Sequence, residues 1–387
     1  MKIGVPKERL PEELRVAISP DTIRKMTALG FDIIIESGAG EGAFFSDTIF
    51  GKAGAQIAAD AAEVFGAADI VLKVRPPSSG DSLNEVSLLT SGTILISSLG
   101  AMTNKPLMEA LARQGVTAFA MELLPRITRA QSMDILSSQS NLAGYKAIID
   151  AAGVLGRAFP MMITAAGTIA PAKVFVMGVG VAGLQAIATA KRMGAVVTAT
   201  DVRPATKEQV ESLGGKFLDV DPTIENDAQM NNGYAKEMPP EYLQKQKLRV
   251  SEHIKKQDVV VTTALIPGQP APVLITEEML KSMPAGSVVV DLAVEAGGNC
   301  EVSERGKTVQ KSGVTIIGHI NVPSRIAEDA STLFAKNLLN FITPLVDFQT
   351  KELNIDWEEF KEFSPMQIIG LYNLIHGKSD EIMDSIE

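Results

Sequence analysis

The chain alternates short, nearly apolar runs with longer stretches of helical spacing. In the first half the apolar runs are KIGVP (2–6), FDIIIE (31–36), ADIVLKV (68–74), GTILISSLG (92–100) and GVTAFAME (115–122). Between them, SPDTIRKMTALG, DAAEVFGAA and KPLMEALARQG read as helices, the first with Ser19 placed to cap it and Pro20 at its first position. The second half repeats the plan with KVFVMG, AVVTATD, GKFLDV, DVVVTTA, SVVVDLA and VTIIGH. Continuously apolar strands alternating with helices predict parallel sheets covered on both faces. The expected fold is therefore α/β, with two Rossmann-like, doubly wound parallel-sheet domains joined by long helices. Those helices are expected from Asn141 to about Ala158 and from Ser324 to about Val346. The chain would cross into the second domain and return, so that 1–136 with 330–387 form one domain and 137–329 the other. Ligands of such folds sit at the carboxyl ends of the strands and in interdomain clefts.

The richest segment runs from Lys173 to Asp201: an apolar strand, a GxGxxG turn (Gly178, Gly180, Gly183), an Ala-rich helix, a second apolar strand and a terminal acid. Gly178 permits the tight turn, Gly180 lets the backbone approach a pyrophosphate, and Gly183 lets helix and strand pack closely. The helix N-terminus offers N–H groups and a positive dipole end to phosphates. Asp201 can accept hydrogen bonds from both ribose hydroxyls and repels a 2′-phosphate, which predicts NAD(H) over NADP(H). Arg203, two residues on, argues the other way, and the acid is given priority because it ends the strand. Val174 to Ala190 is free of charge, yet three glycines and Gln185 interrupt it, so it reads as a buried strand and helix rather than a membrane span.

Two further segments are polar where the pattern breaks. DPTIENDAQMNNGYAKEMPP (221–240) has no apolar period, and loops of this length are typically lids or disordered. Its Gly233–Met238 tip brings Tyr234 and Met238 within reach of a nucleotide, or is a tolerated insertion. PRITRAQSMDILSSQSN (125–141) supplies Arg126, Arg129, Gln131, Asp134, Ser137 and Ser138. A nicotinamide carboxamide and ribose diol need fixed donors and acceptors of this kind, with Arg126 and Asp134 able to hold one another. A solvated link with a helix cap is the alternative.

Bulk properties narrow the classes. At 387 residues two domains are the natural expectation. A net charge of −10 argues against nucleic acid and direct adhesion to anionic lipid. One cysteine, Cys300, rules out a disulfide framework and fits a reducing compartment. The opening MKIGVPKERL lacks a signal-peptide core, so a cytoplasmic protein is expected.

GVPKE with RVAISP, PRITRAQSMD, GVGVAG, ATDVR, NGYAKEM, TTALIPG and VDLAVEAGGNC together resemble the NAD(H)-binding subunit of proton-translocating nicotinamide nucleotide transhydrogenase, from Met1 to about Asp347. Alanine dehydrogenase is a relative of that family with the same two-domain plan. The resemblance implies direct hydride transfer between NAD(H) here and NADP(H) on a separate domain, coupled to proton movement through membrane-spanning subunits. It implies peripheral attachment to the inner membrane through those partners, without insertion, and a homodimer. It places Arg126, Asp134 and Ser137 at the nicotinamide, Gln131 toward the partner nucleotide, and Ile127, Thr128 and Arg129 beside them. Gly178, Gly180, Val181 and Gly183 would face the phosphates; Asp201, Val202 and Arg203 the adenosine ribose; Gly233, Gln246 and Leu265 the remaining cleft; Tyr234 the closing loop. No metal is expected.

The residues also separate the alternatives. Amino-acid oxidation needs a base, and hydride exchange between nicotinamides needs mainly positioning. The dehydrogenase pattern has a histidine where this chain has Ser98. The three histidines are His253 and His376, both expected to be solvated, and His319, expected to be structural. Arg15 and Lys73 match positions that hold substrate carboxylate in the dehydrogenases, which leaves an anion site open. An alanine-dehydrogenase-like enzyme and a non-catalytic NAD(H)-sensing module are the competing readings. After Asp347 the resemblance weakens, and MQIIGLYNLIHG has the spacing of an amphipathic helix. No membrane span follows the soluble part, so the membrane segments are expected on separate polypeptides.

Overall fold

A computed structural model describes residues 1–80, 83–220, 238–266, 269–347 and 349–355. The described residues of 1–139 and 324–355 form one compact unit, and those of 140–323 a second. The main sheet of unit 1 is built from β1 (Lys2–Val5), β2 (Asp32–Glu36), β3 (Gln56–Ala58), β4 (Ile70–Leu72), β5 (Ile94–Ser97) and β6 (Thr117–Ala120). They lie in the order β3-β2-β1-β4-β5-β6, all parallel. Unit 2 holds β7 (Lys173–Met177), β8 (Val196–Thr200), β9 (Lys216–Phe217), β10 (Val259–Thr262), β11 (Val288–Asp291), β12 (Lys307–Lys311) and β13 (Val314–Gly318). Their order is β9-β8-β7-β10-β11-β13-β12, parallel except for the antiparallel edge strand β12. Both sheets thus reverse direction beside their first strand, the doubly wound arrangement expected from the alternation.

Side-chain alternation explains the two covered faces. In unit 2, Val174, Val176, Val259 and Val261 pack with Ala186, Ile187 and Ala190 of the Val181–Arg192 helix. Their neighbours Phe175, Met177 and Val260 point the other way, toward Val250, Ile254, Met279 and Leu280. In unit 1, Ile3, Val5, Ile70 and Leu72 meet Phe334, Leu338 and Ile342 of the Ala327–Ile342 helix, and Val71 and Leu95 meet Phe65, Leu107 and Leu111. Each buried Val, Ile, Leu, Phe or Met side chain contributes about 1.5–3 kcal/mol, which is why the strands read as unbroken apolar runs.

Helix ends follow local chemistry. Ser19 and Thr22 form a reciprocal capping box at Pro20–Ala28. The first long helix is Ile135–Val154, which starts earlier than the Asn141 that periodicity predicts, because Asp134 bonds the Ser137 N–H and begins it. The second, Ala327–Ile342, lies within unit 1, and the return between units is made by the short Val322–Ile326 turn. GKFLDV yields only Lys216–Phe217 as strand. Among the described residues no helix is long and apolar enough to cross a membrane.

Candidate functional site

In unit 2 the chain leaves β7 through Gly178, whose φ of +95° disfavours any residue with a side chain. A Cβ there would also lie 2.6 Å from the Thr263 hydroxyl. At Gly183 a Cβ would collide with the Gly178 carbonyl oxygen, so helix and turn touch backbone to backbone. Gly180 is different. It is the N-cap of the Val181–Arg192 helix, no side chain caps it, and no atom lies within 4 Å of where its Cβ would be. The turn therefore presents an uncapped helix N-terminus over open space, with Val181 exposed beside it. Gly144, on the long helix, packs against the Ala182 backbone and supports the same turn from behind.

Asp201 follows β8 and is buried. It accepts from the Val179 N–H at 2.7 Å and from the Arg203 backbone N–H and Nε, both at 2.9 Å, with Arg203 Nη2 at 2.8 Å. Arg203 is thus ion-paired with the acid that ends the strand. Val202 packs against Met238 and the fully buried Tyr242, at the start of the Pro240–Ile254 helix that also carries the half-buried Gln246. Gly233 and Tyr234 lie outside the described residues, as does the tail with His376.

Leu265 is exposed on the segment after β10. The anchor of that segment is Asn299, which the sequence pattern does not single out as functional. Its side chain is fully buried, accepts from the Ala264 N–H at 2.9 Å, and donates to the carbonyls of Ala264 and Pro272 at 2.9 and 2.8 Å. Thr263 in turn donates to the Gly178 carbonyl at 2.9 Å. Asp291 holds the loop that carries Asn299, accepting from Ala293 N, Cys300 N and Ser303 Oγ. The GGNC string is the available signal, since a polar Asn between glycines and a buried strand end needs partners. Cys300 is buried, and burial pushes its thiol pKa up.

In unit 1, Thr128–Met133 form a 3-10 turn, with Arg126, Ile127, Thr128, Arg129 and Gln131 exposed along it. Asp134 accepts from the Ser137 N–H at 2.9 Å and its hydroxyl at 2.5 Å. Ser138 bonds Asn337, whose amide donates to the Ser132 carbonyl, so the base of this polar edge is fixed to the Ala327–Ile342 helix.

Arg15 and Lys73 are buried and paired. Lys73, 1% exposed, lies 3.3 Å from Glu8 and 3.2 Å from Glu85. Arg15 is clasped by Glu13 at 2.6–2.7 Å and donates to Gln139 at 2.8 Å. Glu13 also accepts from Arg75 at 2.9 Å. Burial alone would raise the Glu13 carboxyl, but hydrogen bonds and charge from Arg15, with Arg75, hold it down at about 2. Burial raises Glu8, with Lys73 opposing. Glu8 Oε2 is the oxygen that faces Lys73 Nζ, an ion pair that falls outside hydrogen-bond geometry.

The histidines divide differently from expectation. His253 is not simply solvated: its Nε2 lies 2.7 Å from Thr198 Oγ1, its ring stands edge-on to Phe175, and burial lowers its pKa. His319 bonds Thr308 and Asp150, a structural placement.

Family models for the alanine dehydrogenase/PNT N-terminal and C-terminal domains match residues 4–143 and 147–366. The chain is 61% identical to an NAD(P) transhydrogenase subunit alpha polypeptide of Rhodospirillum rubrum over 93% of its own length and 94% of the relative's. It superposes on a solved transhydrogenase from Sinorhizobium meliloti with a TM-score of 0.79 at 52% identity, covering 90% of this chain and 95% of that one. An alanine dehydrogenase of Halomonas elongata is more distant, 31% identical over 90% of this chain and 88% of the relative.

Proposed function

We infer, from a chain that belongs to the alanine dehydrogenase/PNT family, that this protein is the NAD(H)-binding subunit of a proton-translocating transhydrogenase. The observation that carries the reading is the corner at Gly180: a helix N-terminus with no side-chain cap, open space at the N-cap glycine, and a buried acid one strand away. The backbone of Gly178, Gly180, Val181 and Gly183 receives the pyrophosphate. Asp201 receives the adenosine ribose, exchanging part of its ion pair with Arg203 for ribose hydroxyls, and Val202 lines the same pocket. The pairing of Arg203 with Asp201 supports preference for NAD(H). Gln246 and Leu265, with Gly233 and Tyr234, complete the nucleotide site.

Bound NAD(H) supplies the hydride-donating or hydride-accepting ring. Arg126 and Asp134 orient its carboxamide, Ser137 fixes the Asp134 rotamer, and Gln131, with Ile127, Thr128 and Arg129, faces the second nucleotide. That nucleotide, NADP(H), resides on a partner domain, and membrane-spanning transhydrogenase subunits couple the transfer to proton movement. The chain acts as a homodimer on the cytoplasmic face, peripherally attached through those subunits. The dehydrogenase reading has less support: Ser98 replaces a histidine base, and Arg15 and Lys73 are each paired with internal carboxylates.

Mixing the purified chain with an NADP(H)-binding transhydrogenase domain tests this. Hydride transfer from NADPH to an NAD analogue, requiring both proteins, is the expected outcome. Turnover of pyruvate, ammonia and NADH by the chain alone would replace the reading with the dehydrogenase.

A further inference from the structure

The strand order of unit 2 fixes where its crevice opens. β7 and β10 are neighbours, β8 lies beyond β7, and β11 lies beyond β10. The chain therefore winds outward in both directions from the β7–β10 pair, and the loops leaving those two carboxyl ends part to admit a ligand. One lip of the crevice is the glycine turn, closed backbone to backbone by Gly178 and Gly183. The other lip is 263–266, which lies outside helix and strand and carries Leu265, 51% exposed. A lip without support would be ordered only as the nucleotide arrives, at an entropic cost to affinity. Its own sequence offers little help, since Pro270 and Pro272 have no N–H to donate.

The hold comes from beyond the next strand. Asn299 Oδ1 accepts from the Ala264 N–H and its Nδ2 donates to the Ala264 carbonyl, so both polar groups of the residue before Leu265 end on one amide. The same Nδ2 reaches the Pro272 carbonyl, and the Asn299 main-chain carbonyl accepts from the N–H groups of Leu274 and Ile275. Both ends of 264–275 are thereby tied to one fully buried residue. Asp291 steadies Asn299 in turn, accepting from Ala293 and Cys300 N–H and from the Ser303 hydroxyl. Thr263 links the two lips, its hydroxyl donating to the Gly178 carbonyl. An asparagine that only satisfied a loop would act on stability alone. This one fixes the residue that sets the direction of an exposed leucine at the crevice.

We propose, on the NAD(H)-binding reading above, that Asn299 is a positioning residue for the nucleotide. Being fully buried it touches no ligand, and it holds Ala264 so that Leu265 stands as a preformed wall of the crevice. Calorimetric titration of NADH into the full chain tests this through a double-mutant cycle of Asn299→Ala and Leu265→Ala, with a urea titration reporting folding. Asn299→Ala is expected to raise the NADH dissociation constant about tenfold, the scale of losing a buried hydrogen-bonding group. Leu265→Ala is expected to raise it about threefold, the scale of part of one leucine's apolar contact. The double variant should bind about as weakly as Asn299→Ala, because a wall no longer held has little left to lose. Losses that instead multiply to about thirtyfold mean that Asn299 does not act through Leu265 and overturn the proposal. An unchanged NADH constant in folded Asn299→Ala overturns it as well. If Asn299→Ala fails to fold, Asn299→Ser, which leaves a hydroxyl in place, enters the same cycle under the same criterion. A wild-type chain that binds no NADH overturns the nucleotide reading itself, an outcome distinct from the other two.

Discussion

The two units build the same corner and fill it oppositely. Val5 pairs with Ile35 in unit 1 as Met177 pairs with Thr200 in unit 2, so Pro6 stands opposite Glu36 as Gly178 stands opposite Asp201. In each, the acid accepts the N–H two residues beyond the first strand: Lys7 to Glu36 at 2.8 Å, Val179 to Asp201 at 2.7 Å. Each acid also holds an arginine close by in sequence or space, Arg9 or Arg203. Two residues past the strand's turn the units part. Unit 2 has Gly180 and open space, and unit 1 has Glu8, buried against Lys73. Sheet order supplies the corner twice, and the residue at this one position decides whether backbone or internal charge occupies it. An acid after the second strand is therefore a feature of the architecture, and only in combination with the glycines does it indicate a nucleotide.

The largest test of this contrast is Lys73→Met. Leaving Glu8 and Glu85 buried without their cation should cost unit 1 about 3–5 kcal/mol in a urea titration, while NADH affinity of the folded protein stays unchanged. Equal stability would mean that Lys73 is not what holds the charged corner together. Acid comes next. The Glu13 carboxyl sits at about 2 in the folded chain against an ordinary 4.5, so its contribution is present above pH 4.5 and disappears as pH falls through 2. That is about 3 kcal/mol as an upper bound, and Glu13→Gln should lose most of this acid dependence. Glu8 works against it: a raised carboxyl costs stability as pH rises above 4.5, so Glu8→Gln should gain relative to wild type toward neutrality. The smallest effect compares the two acids directly. Asp201→Ala should weaken NADH by about 1–3 kcal/mol, measured by fluorescence titration, and Glu36→Ala should leave it untouched. Equal losses in both would remove the distinction between the corners.

Much of this architecture is legible in the chain because burial on both faces writes itself as unbroken apolar runs, as in VVVT and VVVD of β10 and β11. Capping is legible too: Ser19 and Pro20 fix a helix start with no knowledge of the rest. Strand order is not, since nothing in KIGV states that it lies beside DIIIE on one side and IVL on the other. Lys307–Lys311 gives no signal because an antiparallel edge strand with exposed lysines has no apolar signature. His253 reads as solvated because charged residues flank it in sequence (Glu252, Lys255, Lys256), and only pairing in space brings Phe175 and Thr198 to it. The glycine turn and Asp201 can be named from spacing alone. Asn299 and the Glu8–Lys73–Glu85 network cannot, because their meaning lies in partners far along the chain.

Cys300 has a practical consequence. The chain's single thiol is buried behind the Asp291 loop and held in its protonated form by that burial. To thiol-directed reagents the surface is silent. A cysteine introduced near Gly180 would be the molecule's only accessible thiol, so a single fluorophore or spin label could follow nucleotide arrival without first removing the native cysteine.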